Sequence, residues 1–371
     1  MRYFNQIVLV AGMLVLTSCQ SPQERVWLDD IEQIPVSSES SNSDPSLYTT
    51  EPQLFEDIFK KVSEVQLADD VVLGDRMSPV IGPQGQILAM DGDLAILFDA
   101  SGKMIAQVTP DACNPGHNWS PSNAQFLPDG GFLVFGFSRD GYWFDATGRC
   151  TKVFPHRAFT RAITILEDST VVAAKLSNVD WHLVEYGLEA ADVDTLFSGI
   201  YTQLGTRIIA GGMISNNSGD LFIGVFHSPF VYRFQNGQFE KLGRIPDYFN
   251  IIPSDLTETE IDDRDSWMQK MQGIIRDNSA LGSIFALDDE SLAVFYINVD
   301  QPDDYAEVPS PTAIHIMDWN GNPITKGPIF LRETRPIYAG NGAFYTRVYD
   351  ESGLDEAPLN PKIVEYRFAS E

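Results

Sequence analysis

The chain has 371 residues, with 52 Asp and Glu against 25 Lys and Arg, a net charge of -27. Such a surface repels phosphate backbones and anionic headgroups, which excludes nucleic acid as a natural partner. A hydrophobic fraction of 43% with 11% aromatics belongs to a globular protein with a large core. The first element is an export signal. Met1-Arg2 is followed by ten apolar residues, Ile7 to Leu16. A bilayer span needs ~20, so this run has the size of a signal-peptide core.

Leu16-Thr17-Ser18-Cys19 closes the signal and resembles a lipobox: a leucine, two small residues and a cysteine. The resemblance implies cleavage after residue 18 and a lipid on Cys19. Gln20, rather than Asp, at the next position implies sorting to the outer membrane. Residues 19–57 are rich in Ser, Pro and Glu, and cannot bury enough apolar surface to fold alone. They are expected to tether the lipid to a domain spanning 58–371.

From residue 58 onward, short β-runs alternate with turn residues. The second unit shows the pattern best. Ser122 to Leu127 predicts a strand, Pro128-Asp129-Gly130-Gly131 a turn, and Phe132 to Phe137 a strand apolar on both faces. Tyr142-Trp143-Phe144 and Arg149 to Phe154 follow, joined by Asp145-Ala146-Thr147-Gly148. An antiparallel sheet whose second strand is apolar throughout must be covered on both sides. The turn and apolar strand recur at Pro83/Ile87, Glu167/Val171, Asn217/Leu221, Asp288/Leu292 and Gly340/Ala343, giving six units. Radial repetition is the architecture that covers every such sheet, so the reading is all-β: a six-bladed β-propeller of four-stranded antiparallel blades. A short helical insertion is expected before blade 5, where Asp265 or Ser266 caps a segment carrying Trp267, Met271 and Ile274 on one face.

The Phe-Asp-x-x-Gly-Lys/Arg turns at Phe98 and Phe144, with the Pro-Asp-Gly-Gly turn, make the chain resemble six-bladed propeller lipoproteins of bacterial envelopes, in the style of NHL-repeat and TolB-like propellers. The resemblance implies a location and a shape more than a reaction. The last unit runs out of chain before its fourth strand, and Val62 to Leu67 is left unassigned. That early strand is expected to complete the last blade. Cys113 and Cys150 are expected at opposite blade ends, and a five-residue strand already separates its ends by ~16 Å. Two unpaired thiols are favoured over a bridge.

In this strand order the long segments gather at one end: 109–121, 175–182, 198–206, 246–280, 298–311 and 348–361. Long irregular segments on a rigid scaffold are where binding is usually built. Arg76, Arg161, Arg207 and Arg335 precede first strands at that end and would form a cationic mouth for a carboxylate or sulfate. Pairing of each with a neighbouring acid is the plainer alternative. His117, Trp119, Trp181 and His182 are candidate accessory contacts for a sugar or peptide. Asp300, Asp303, Asp304 and Glu307 do not match the spacing of a calcium loop. No His-Glu-x-x-His, Gly-x-Ser-x-Gly, paired Cys-x-x-Cys or phosphate-binding glycine loop is present. The expected function is a non-catalytic binding scaffold, without cofactor, for a protein, peptide or glycan. The alternative is a metal-dependent propeller hydrolase of lactonase type, or a lyase, whose scattered ligands leave no local motif.

Overall fold

The computed structural model describes residues 26–27, 52–74, 76–116, 119–136, 140–155, 163–166, 170–177, 180–187, 194–201, 212–216, 218–225, 228, 230–244, 249, 279–297, 299, 312–332, 334–349 and 360–369. Three short elements come first: β1 (Val26–Trp27), β2 (Gln53–Leu54) and helix α1 (Phe55–Ile58), followed by the long strand β3 (Phe59–Gln66). Blade 1 is β4 (Ser78–Ile81), β5 (Ile87–Asp91), β6 (Leu94–Phe98) and β7 (Met104–Gln107). Blade 2 is β8 (Pro121–Phe126), β9 (Phe132–Gly136), β10 (Asp140–Phe144) and β11 (Cys150–Pro155). Blade 3 is β12 (Ile163–Ile165), β13 (Thr170–Ser177), β14 (Asp180–Gly187) and β15 (Asp194–Tyr201). Blade 4 is β16 (Met213–Ser215), β17 (Leu221–Gly224), β18 (Phe230–Gln235) and β19 (Gln238–Arg244). Blade 5 is β20 (Ala280–Ala286), β21 (Ser291–Ile297), β22 (Thr312–Asp318) and β23 (Ile329–Phe330). Blade 6 is β24 (Tyr338–Gly340), β25 (Ala343–Val348), β26 (Lys362–Phe368) and β3. The six sheets are antiparallel within each blade, and β1 and β2 add a parallel strand to the outer edges of blades 3 and 5. The helix expected before blade 5 lies outside the described residues.

The core is divided into wedges between blades, and the second strands show why. Leu88 and Met90 of β5 pack toward blade 2, while Ile87 and Ala89 pack toward blade 6. Phe132 and Val134 of β9 face blade 1, and Leu133 and Phe135 face blade 3. In blade 5, Leu292, Val294 and Tyr296 face blade 4, and Ala293 and Phe295 face blade 6. Alternation along a strand sends successive side chains to opposite faces. A strand apolar at every position therefore serves two wedges.

The turn before the fourth strand of blades 1 and 2 has a local cause. Asp99 Oδ1 accepts from the backbone N–H of Ser101 and Lys103 and from the Ser101 hydroxyl, at 2.8, 3.1 and 2.6 Å. Asp145 repeats this with Thr147 and Arg149, at 2.9, 3.1 and 2.6 Å. Gly102 and Gly148 then take φ of +83° and +81°, which side chains rarely adopt. The turns also seat on the neighbouring blade. A Cβ on Gly102 would run into the Gln66 carbonyl at the end of β3, and one on Gly148 would lie 3.0 Å from Ala106 Cβ in β7.

That seating corrects the cysteine expectation. Cys113 and Cys150 form a disulfide, with Cα atoms 5.8 Å apart. Only a flat blade would keep the two cysteines at opposite ends. Sheets twist by roughly 20–25° per strand, so three steps turn the outer strand by about 60–75° from the inner one. The end of one outer strand thus meets the start of the next. Cys113 follows β7 through a 3-10 turn at Pro110–Ala112 and reaches Cys150 at the start of β11.

The expected ring closure is present. β3 pairs with β26 from Lys362↔Gln66 to Phe368↔Phe59. Packing begins earlier, at Gln53, whose N–H donates to Pro328 O at 3.0 Å. Phe55 and Phe59 are 0% and 2% exposed and stack at 4.7 Å, with Phe344 and Tyr366 around them. Asn360, 1% exposed, holds the segment after β3. Its amide nitrogen donates to Ala68 O and Val71 O at 2.6 and 2.7 Å, and its oxygen accepts from Leu73 N at 2.7 Å.

Candidate functional site

The first strands of all six blades stand at the inner end of their sheets, so each leaves one edge facing a central channel. They enclose a cavity of about 350 Å³. Its described lining mixes hydroxyls and amides with Met, Ile, Phe and Tyr side chains, and includes no charged residue. A second cavity of about 370 Å³ lies toward the tight turns of blades 6, 1 and 2, where Pro83, Pro128 and Asn341 reach it.

An unpaired strand edge needs partners for its N–H and C=O groups. Side chains from adjacent blades supply them. The Gln125 amide donates to Ile165 O at 3.5 Å and accepts from Ile165 N at 3.1 Å, imitating a paired strand across the gap from blade 2 to blade 3. Ser215 of blade 4 donates to the same Ile165 O at 3.2 Å, and its oxygen lies 3.4 Å from Thr164 Oγ1. Asn341 of blade 6 donates to Gly82 O of blade 1 at 3.3 Å. The Tyr338 hydroxyl bonds the Ile81 backbone. Burial, followed by the neighbouring Tyr345, pushes Tyr338 up to about 12, and burial does the same to Tyr345. Both phenols are neutral hydrogen-bonding groups at physiological pH. Among the described residues, no group of three or more His, Cys, Asp or Glu converges as a metal site would require.

The residues singled out from sequence fall in different places. Arg76 and Arg335 are exposed, ahead of β4 and β24, and neither lines the channel cavity. Arg161, Arg207 and His117 lie outside the described residues. Trp119 packs its ring on Tyr142 and Phe144, at 5.3 and 6.0 Å, against the wedge between blades 1 and 2. Trp181 and His182 are in strand β14, not in a loop: they pair with Leu176 and Lys175 of β13. Polar residues on the long strands β13 and β14 of blade 3 give the look of a loop, whereas β13 runs on to Ser177 and β14 starts at Asp180. The edge-capping Gln125, Ser215 and Asn341 were not found from sequence. Single polar residues in short strands carry no signal until the neighbouring blade is known.

No family model matches the chain, and no curated protein matches it. Among solved structures, a Bacteroides fragilis protein named as exported matches with a TM-score of 0.59 at 12% identity, over 85% of this chain and 97% of that one. A streptogramin B lyase matches with 0.43 at 10%, over 84% and 98%. A protein named as a gluconolactonase matches with 0.45 at 11%, over 85% and 97%. At these identities the first likeness shows the shared propeller fold alone, and the other two carry no argument about activity.

Proposed function

We propose that the protein is an envelope-anchored, non-catalytic propeller, held at the outer membrane by a lipid on Cys19, whose long-loop end engages a protein, peptide or glycan. The observation that carries this reading is the character of the channel. Its described lining offers no acid, imidazole or thiol, and its side-chain amides and hydroxyls are engaged in holding blade edges together. A metal-dependent hydrolase needs converging oxygen or nitrogen ligands there. The Cys113–Cys150 disulfide supports export, because such bonds persist in oxidising compartments. No helix among the described residues is long and apolar enough to cross a membrane.

Fractionation of cells carrying Cys19→Ser tests the anchor. The variant is expected in the soluble fraction while the parent stays with membranes; a membrane-bound variant refutes the lipid. Incubation of the purified domain with aliphatic lactones and calcium tests the rest. No turnover is expected, and saturable hydrolysis replaces the scaffold reading with the hydrolase.

A further inference from the structure

The channel lining has a chemical polarity that goes beyond the loop-end reading and does not depend on the lipid. A serine, threonine or tyrosine hydroxyl has one proton to donate and lone pairs to accept with. Ser122 donates to Phe135 O at 3.3 Å, Ser283 to Gly282 O at 2.7 Å and Ser215 to Ile165 O at 3.2 Å. Since the Ser215 proton is used, Thr164 is the donor in their 3.4 Å pair. The serine and threonine hydroxyls therefore turn oxygens without spare protons toward the cavity. Tyr338, kept neutral by burial, accepts from the Ile81 backbone N–H and keeps its own proton to donate. Beside them, Phe285 and Tyr338 meet edge to face at 5.3 Å and give blades 5 and 6 an aromatic wall.

We propose that the channel binds a neutral polyol, a sugar ring or a glycan terminus, through hydrogen bonds that the ligand donates to the serine and threonine oxygens and accepts from Tyr338. The cavity of about 350 Å³ falls in the ~300–1,000 Å³ range of small-molecule sites. An anion is disfavoured twice. The described lining offers it no cation, and a chain of net charge -27 repels it; an ammonium meets no carboxylate among those residues and would be buried unpaired. This reverses the ligand charge expected from the four arginines.

Saturation-transfer NMR with the full propeller tests the site. The probes are the methyl glycosides of glucose, galactose, mannose and N-acetylglucosamine, with glucuronate, galacturonate and glucosamine as charged counterparts. At least one neutral glycoside is expected to bind, more tightly than any uronate or the amino sugar. Ser283→Ala and Tyr338→Phe should each weaken it about 2- to 10-fold, the worth of one hydrogen bond. Ser63→Ala, on the outer surface of blade 6, should leave binding unchanged, and the circular dichroism of all three variants should match the parent. Failure of every neutral glycoside to bind overturns the proposal, as does tighter binding of a uronate or of glucosamine. Retention of full affinity in both channel variants moves the sugar elsewhere and also overturns it.

Discussion

The seam between blades 6 and 1 and the seam between blades 1 and 2 meet the same geometric problem in different ways. In each, the end of a twisted outer strand must be held against the turn before the next blade's fourth strand. Between blades 1 and 2 the chain runs on continuously, and the disulfide from Cys113 to Cys150 pins the contact. Between blades 6 and 1 two distant parts of the chain must find each other. There the fastening is distributed: β3 pairs along β26, Leu67 and Leu73 fill the wedge, and Asn360 grips three backbone groups. A covalent link acts on the unfolded chain, whereas a buried hydrogen-bonding hub acts on the folded one. The two seams should therefore respond to different insults.

The largest single-residue effect is expected at the closing seam. Asn360→Ala leaves Ala68 O, Val71 O and Leu73 N without this partner, at roughly 1–3 kcal/mol for the buried Leu73 group and about 1 kcal/mol for each of the two half-buried carbonyls. A loss of about 3–5 kcal/mol in urea unfolding is expected. A loss under about 1 kcal/mol would show that water replaces the side chain and that β3 alone closes the ring.

The disulfide comes next. Replacing both Cys113 and Cys150 with Ser, or reducing the bond, should cost about 3–4 kcal/mol for a 37-residue separation. The melting temperature of the parent should fall with reductant, and that of the double variant should not. Equal sensitivity of both to reductant would contradict the bond.

Acid reaches both seams alike and a third place more strongly. Hydrogen bonds from the Ser101 and Thr147 hydroxyls hold Asp99 and Asp145 below the usual carboxylate range. Their contribution is present above that range and is lost as pH falls through their folded values. His315, buried in β22, is pushed down to about 4 by burial. The folded protein keeps it neutral, while the unfolded chain takes up the proton near 6.5. Its stability contribution is complete above pH 6.5 and declines by roughly 1.4 kcal/mol per unit toward pH 4, roughly 3 kcal/mol in all. Unfolding measured across this window should show that slope, and His315→Gln should flatten it. An unchanged slope would assign the acid sensitivity to the carboxylate turns.

The smallest effect isolates the seating of the turns. Gly102→Ala and Gly148→Ala impose the same left-handed backbone cost, about 1–2 kcal/mol. Only the first drives a methyl group into a backbone carbonyl, that of Gln66; the second meets the Ala106 methyl at 3.0 Å. Gly102→Ala should be the more destabilising by about 1–2 kcal/mol in parallel melts. Equal losses would mean that β3 gives way easily and the closing seam is looser than its hydrogen bonds imply.

Much of this architecture is written locally. Turn residues and doubly apolar second strands recur because each blade faces two wedges, and the missing fourth strand of blade 6 points to Val62–Leu67 by elimination. What escaped depends on relations between blades. The disulfide was missed because strand twist accumulates across a sheet and is invisible in one unit. Asn360 stands in an ordinary polar stretch before β26, and nothing near it in sequence marks its partners some 290 positions earlier. The candidate site suffered most. Trp119 reads as a ligand contact but packs on Tyr142 and Phe144. The channel's Gln125, Ser215 and Tyr338 acquire meaning only beside the edge of the next blade.

Calorimetric titration of the purified propeller with calcium, followed by zinc, tests the functional reading most directly. A scaffold whose described channel residues include no converging ligands should take up neither ion stoichiometrically at micromolar concentration, and its melting temperature should not move. One equivalent bound at micromolar affinity, with a matching rise in melting temperature, would contradict the scaffold and place a metal-dependent enzyme in this ring.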